Sequence, residues 1–196
     1  MRCSLRLKLK NLASVQMGYS FRSRLEASEG DGVAVIQMKD LLDVNTVACD
    51  GLVKIDMETV KEHHLVQRGD LVFRSRGQLT TAAVLLDDPG KAVVAAPLFR
   101  IRVTRPGKIL PEYLNWFIGQ RDAQAYLTSR AKGTVQKMIS KQAIEDLEVA
   151  LPSLKKQKLI IELASLSVQE QTLLHTIADK REQYISTVLM QLTKGE

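Results

Sequence analysis

The sequence predicts an α+β fold: a mixed α/β domain over residues 1–152, followed by one long coiled-coil helix over 153–196. Three observations predict it. Short β-branched runs alternate with turn residues in the first part, one stretch between them has helical spacing, and the chain changes character at Leu151-Pro152-Ser153-Leu154.

The elements follow in order. VAVIQM (33–38), LVKI (52–55), DLVFRS (70–75), AAVLLDD (82–88), AVVAAPLFRIRV (92–103) and DLEVALP (146–152) have the length and Val/Ile/Phe content of strands. Gly69-Asp70, Asp87-Asp88-Pro89-Gly90 and Arg105-Pro106-Gly107 punctuate them as turns. Between Pro111 and Ala131 the pattern is helical, with Tyr113, Leu114, Phe117, Ile118, Ala125 and Tyr126 on one apolar face. Ser153 is an N-cap candidate, and no proline or glycine follows until Gly195. Leu159, Leu163, Leu166, Glu170, Leu173, Ile177, Lys180, Tyr184, Val188 and Gln191 step by four and three as a heptad seam, with Leu192 the apolar alternative at its end. Such a helix is about 60 Å long, too long to bury its stripe against a domain of this size. Two shorter helices folded back on each other are the alternative, but no turn signal breaks the run, so a coiled-coil partner is expected.

Composition bounds the function. The 196 residues are 45% hydrophobic, enough for a substantial core. No window reaches about 18 uninterrupted apolar residues, and MRCSLRLKLKNL alternates charge with leucine, so a cytoplasmic protein is expected. Cys3 and Cys49 are too few and too isolated for a disulfide framework or a metal knuckle. The net charge is +6, with 22 basic against 17 acidic residues in 1–150 and 6 against 5 in 151–196. A basic first part suits a polyanionic partner, although many ordinary domains are as basic.

No enzymatic constellation is present in the sequence. There is no Gly-x-x-x-x-Gly-Lys-[Ser/Thr] loop, no Gly-x-Gly-x-x-Gly after a strand and no Asn-Pro-Pro-Tyr-like segment. His63 and His64 are adjacent, hence on opposite faces if that segment is a strand, and His175 is distant, so no shared zinc is expected. Asp70, Glu145 and Asp146 could hold Mg²⁺ for a nuclease, but Asp70 follows Gly69 where a turn-forming, N–H-accepting role is the common one.

The order of these elements carries a resemblance. LKNLASVQMGYSF, VAVIQMKDL (33–41), HLVQRGDLVFRSRG (64–77), APLFRIRVTRPGKILPEYLNWFIGQRDAQAYL and KGTVQKMISKQAIEDLEVALPSLKKQ (132–157) together resemble a specificity subunit of type I restriction-modification systems. The resemblance implies a non-catalytic target recognition domain that reads double-stranded DNA, joined to a long spacer helix. It implies docking on methyltransferase subunits, with S-adenosylmethionine bound there and no cofactor or metal in this chain. Members commonly carry two such units in one chain. This chain carries one, ending in LMQLTKGE, and no internal repeat, so the second half is expected from another specificity half or from a second copy through Leu159, Leu163, Leu166, Leu173, Ile177, Tyr184, Val188 and Leu192. An antiparallel helix pair would make a two-fold dimer reading an interrupted palindrome. A stand-alone DNA-binding or scaffolding protein of the same fold, without a methyltransferase, is the alternative function.

DNA contacts are expected where forked donors and amides cluster. Arg74, Arg76 and Gln78 end the DLVF strand, alternation setting both arginines on one side. Arg22 and Arg24 follow the Gly18-Tyr19-Ser20-Phe21 turn, with Gln37 in the next strand. In KGTVQKMISK, Gly133 permits a positive φ or a close approach to phosphate, while Lys132, Thr134, Gln136 and Lys137 supply ammonium, hydroxyl and amide groups. A strand starting near Val135 would turn Gln136 outward; a plain polar loop is the structural alternative.

Overall fold

A computed structural model describes residues 5–21, 32–41, 46–57, 59–77, 81–133 and 137–193. The chain divides into two compact units, residues 1–157 and 158–196.

Among the described residues, nine strands in three small sheets form the β part of the first unit. Strand β1 (Leu5–Lys8) pairs antiparallel with β9 (Glu148–Leu151), from Leu5 opposite Leu151 to Lys8 opposite Glu148. Lys8 and Lys10 both reach Asp146, at 3.1 and 3.0 Å, and hold its carboxyl below the usual carboxylate range. A four-stranded antiparallel sheet has the order β2 (Ala13–Met17), β8 (Leu98–Val103), β5 (Leu71–Arg74), β6 (Ala82–Val84). The third sheet has the order β4 (Val53–Ile55), β3 (Val33–Ile36), β7 (Ala92–Val94), with β3 and β7 parallel.

Side-chain alternation assigns each face of this third sheet its own core. Ala34, Ile36, Ala92 and Val94 join Val72, Ala83 and Leu98 of the four-stranded sheet in one cluster. Val33, Val35, Ile55, Val93 and Ala95 form another, against Phe21, Met57, Val60 and Leu65. Burial on both faces is why VAVI is a continuous apolar run rather than an alternating one.

Each expected strand contains an observed one, but AVVAAPLFRIRV is two strands in two sheets. β7 ends at Val94 and β8 begins at Leu98, across a cis Ala96–Pro97 bond. Gly18 lets the end of β2 pass this junction, because a Cβ there would lie 2.7 Å from the Ala95 backbone. Asp70 has the expected turn role, its carboxylate accepting the Gln67 N–H at 2.9 Å, with Gly69 at φ 86°.

The stretch 111–131 is also divided, into α1 (Pro111–Ile118) and α2 (Arg121–Ser129). Gln120 between them is extended, at φ −76° and ψ 152°, which re-phases the second helix. Ala123 and Leu127 are therefore its buried positions, and Ala125 is exposed. A short helix the sequence reading missed, α3 (Lys141–Glu145), precedes β9; its N-cap Ser140 accepts the Ala143 N–H at 3.2 Å.

Helix α4 runs unbroken through its 40 residues, Leu154–Thr193. The expected cap is in place, with the Lys156 N–H 3.4 Å from Ser153 Oγ. Gln157 is fully buried: it accepts from the Leu110 N–H at 3.0 Å and donates to the Lys108 and Pro152 carbonyls at 2.8 and 2.9 Å. Among the described residues no helix is long and apolar enough to cross a membrane.

Candidate nucleic-acid interface

Three segments distant in sequence meet at the end of β5. Arg74, half-buried, donates from Nη2 to the Met38 carbonyl at 2.9 Å, which ties the strand to the turn following Gln37. Within that turn the Asp40 carboxylate accepts the Gln37 N–H at 2.7 Å. Past β5, the Ile139 N–H donates to the Ser75 carbonyl at 2.9 Å, and Arg76 forms a bridge with Met138. Lys132 and Met138 exchange two backbone hydrogen bonds, of 3.0 and 2.8 Å, closing the loop that opens at Gly133. Gly133 has φ 112°, the left-handed conformation its residue type was expected to serve.

The positions named from the sequence separate by environment. Arg76, Lys132 and Lys137 are exposed, as is Lys39 on the Gln37 turn. Arg74 and Gln37 are half-buried, and Arg74 Nε is buried without a partner. Arg74 and Arg76 do not share a partner: one reaches Met38, and the other lies with Nε 3.3 Å from Met138 Sδ. Arg22, Arg24, Gln78, Thr134 and Gln136 lie outside the described residues, and so does the expected strand start at Val135.

A second polar cluster was missed by sequence reading. Asp70, 1% exposed, takes a bidentate bond from Arg102, Nε at 2.7 Å and Nη2 at 2.6 Å. The Leu65 carbonyl accepts from both Arg100 and Arg102, at 3.0 and 2.9 Å. Arg100 also donates to Gln16 Oε1 at 3.0 Å, and the Gln16 amide sits 3.2 Å from His64 Nδ1. Since Gln16 Oε1 already accepts from Arg100, its amide nitrogen faces the ring and donates to an unprotonated Nδ1. The alternating FRIRV of β8 is the signal that could have found this: period two sets Arg100 and Arg102 on one face.

Electrostatics agree with that geometry. Burial, with Arg102 nearby, lowers the Arg100 pKa, whereas the hydrogen bond to Asp70 raises that of Arg102. Burial first, then His63, Arg100 and Lys61, hold His64 below the usual imidazole value. The adjacent histidines lie on a 3-10 turn (Glu62–His64) rather than a strand, and their rings meet at 4.3 Å instead of facing apart. Burial, Asp87 and Asp50 push the Cys49 thiol up, the reverse of what a reactive thiolate needs. Among the described residues no group of three His, Cys, Asp or Glu side chains could hold a metal ion.

On α4, Leu159, Leu163, Leu166, Leu173, Ile177, Tyr184 and Leu192 are exposed, and Val188 is half-buried. The steps from Lys180 to Tyr184 and from Tyr184 to Val188 are both four, so the stripe departs from a pure heptad and drifts around the helix. Leu174, Ile185 and Leu189, also exposed, widen it.

The family model of the type I restriction modification DNA specificity domain matches residues 6–179. Among solved structures the chain is similar to the HsdS subunit from Thermoanaerobacter tengcongensis, at 17% identity and TM-score 0.61 over 85% of this chain and 37% of that one. It is similar to the type I restriction-modification S subunit from M. genitalium, at 10% identity and TM-score 0.55 over 83% and 38%. A third similar chain comes from a study of complex assembly and conformational transition of the type I R-M system, at 16% identity and TM-score 0.63 over 85% and 38%. The chain spans little more than a third of the length of these proteins. No curated protein matches it. With its model matched over most of the sequence, the chain belongs to the type I restriction modification DNA specificity domain family.

Proposed function

We propose that this chain is the non-catalytic DNA-recognition subunit of a type I restriction-modification complex in the cytoplasm. It binds a bipartite target as a homodimer and directs methyltransferase and restriction subunits to it. S-adenosylmethionine is bound by the methyltransferase partner, and this chain holds no cofactor or metal. The family match over residues 6–179 carries the reading. Two further features support it: exposed cations gathered by the backbone at the end of β5, and an apolar stripe along α4 that its own chain leaves uncovered.

Arg76, Lys132 and Lys137 are assigned to phosphate contacts, and Gln37 to base edges. Arg74 positions the Gln37 turn through Met38. Arg22, Arg24, Gln78, Thr134 and Gln136 remain assigned to DNA on residue type. Because the two copies are equivalent, the two half-sites are expected to be equal and inverted.

Methylome sequencing of cells with and without the gene tests this. The expected result is a gapped, palindromic methylated motif that disappears with the gene, and a methyltransferase that copurifies with the chain. DNA binding without any gene-dependent methylation would favour a stand-alone DNA-binding protein.

A further inference from the structure

Besides Lys180, the stripe on α4 is interrupted by two opposite charges, Glu170 and Arg181, both exposed. Neighbours on a helix surface lie three and four residues away. For Glu170 these are Leu166, Ser167, Leu173 and Leu174; for Arg181 they are Ile177, Ala178, Tyr184 and Ile185. Neither charge has a counter-ion at that spacing, and no ion pair among the described residues includes either. Apart from Ser167 and the Tyr184 hydroxyl, those neighbours are apolar.

We infer that α4 of a second copy packs antiparallel on this face, with the two-fold axis passing between His175 and Thr176, so that Glu170 of each copy meets Arg181 of the other. This register presupposes the homodimer proposed above and specifies how it is held. It sets Leu159 opposite Leu192, Leu163 opposite Val188 and Leu166 opposite Ile185, covering the exposed stripe from its first leucine to its last. Beside the axis, Leu173 meets Ala178 and Leu174 meets Ile177.

The alternatives strand the charges. A shift of about one helical turn in either direction sets Glu170 against Ile185 or Ile177, and Arg181 against Leu174 or Leu166. An unpaired charge in an apolar layer is strongly destabilising. A parallel, in-register pair sets Glu170 against Glu170 and Arg181 against Arg181. The two ion pairs therefore select orientation and register together, as single polar positions do in coiled-coil seams.

Charge exchange followed by sedimentation equilibrium without DNA tests the register. Glu170→Arg alone and Arg181→Glu alone each create two like-charge contacts and are expected to weaken the homodimer about 100-fold. An equimolar mixture of the two single variants restores both attractive pairs and should dimerise, as should the double variant. Circular dichroism on each variant separates loss of pairing from loss of fold. If the wild type sediments as a monomer, the homodimer fails and the register with it. If the wild type is a dimer but the single variants pair equally well, or neither mixture nor double variant pairs, the register is wrong while the homodimer stands.

Discussion

The two units treat apolar side chains in opposite ways. In residues 1–157, Phe73, Leu71, Ile101 and Leu114 are fully enclosed, and the polar Asp70, Arg100 and Gln157 are enclosed with them, each hydrogen-bonded. On the helix beyond, Leu173, Ile177 and Tyr184 are 63%, 60% and 71% exposed. The first unit encloses its apolar side chains, whereas the helix beyond leaves its own exposed. Under the proposed function, the first unit would read DNA and the helix would pair the copies.

The sharpest way to break this contrast is one substitution in each unit. Phe73→Ala should cost about 3–5 kcal/mol by opening a cavity in the four-stranded sheet, read as a lower denaturant midpoint. Ile177→Lys should move that midpoint by less than about 0.5 kcal/mol, as surface changes usually do, yet abolish the dimer. If Ile177→Lys lowered the midpoint as Phe73→Ala does, the helix stripe would be part of the first unit's core.

A smaller effect is expected within the first unit. Asp70→Ala leaves Arg102 without its bidentate partner and removes the acceptor for the Gln67 N–H, at a cost of about 3 kcal/mol in chemical denaturation. An unchanged midpoint would mean the cluster contributes nothing to stability.

DNA binding sharpens the comparison on the other side. Arg76→Ala and Lys137→Ala should each lower the slope of log affinity against log salt by about 1 and leave the dimer intact. Variants that keep the full slope would place the phosphate contacts elsewhere on the domain.

The smallest expected effect is a pH dependence. His64 has a native pKa below the usual imidazole value, chiefly from burial, so the unfolded chain binds the proton more readily. Stability is therefore full above about pH 6.5 and falls as pH drops through that value toward the lower native pKa. His64→Gln should remove that part of the acid sensitivity of the melting temperature.

Local signals carried most of the fold. β-branched runs between turn residues marked the strands, Gly69-Asp70 made the turn it suggested, and Ser153 capped the helix that the missing breakers implied. What the sequence could not reveal depended on distant partners. The pairing of β1 with β9, and the division of 92–103 between two sheets, are long-range pairings with no local cause. Helix α3 is only one turn long, too short to show a period, and the break at Gln120 shifted the buried face of α2. At the candidate interface, KGTVQKMISK was conspicuous by charge and glycine. Its link to Arg76 and Ser75 through Met138 and Ile139 became visible only once β5 was in place.

The mass of the purified full chain in solution, by light scattering at micromolar concentration without DNA, tests the central claim most directly. The exposed stripe predicts twice the 21.9 kDa chain mass. A single chain's mass under those conditions would contradict it.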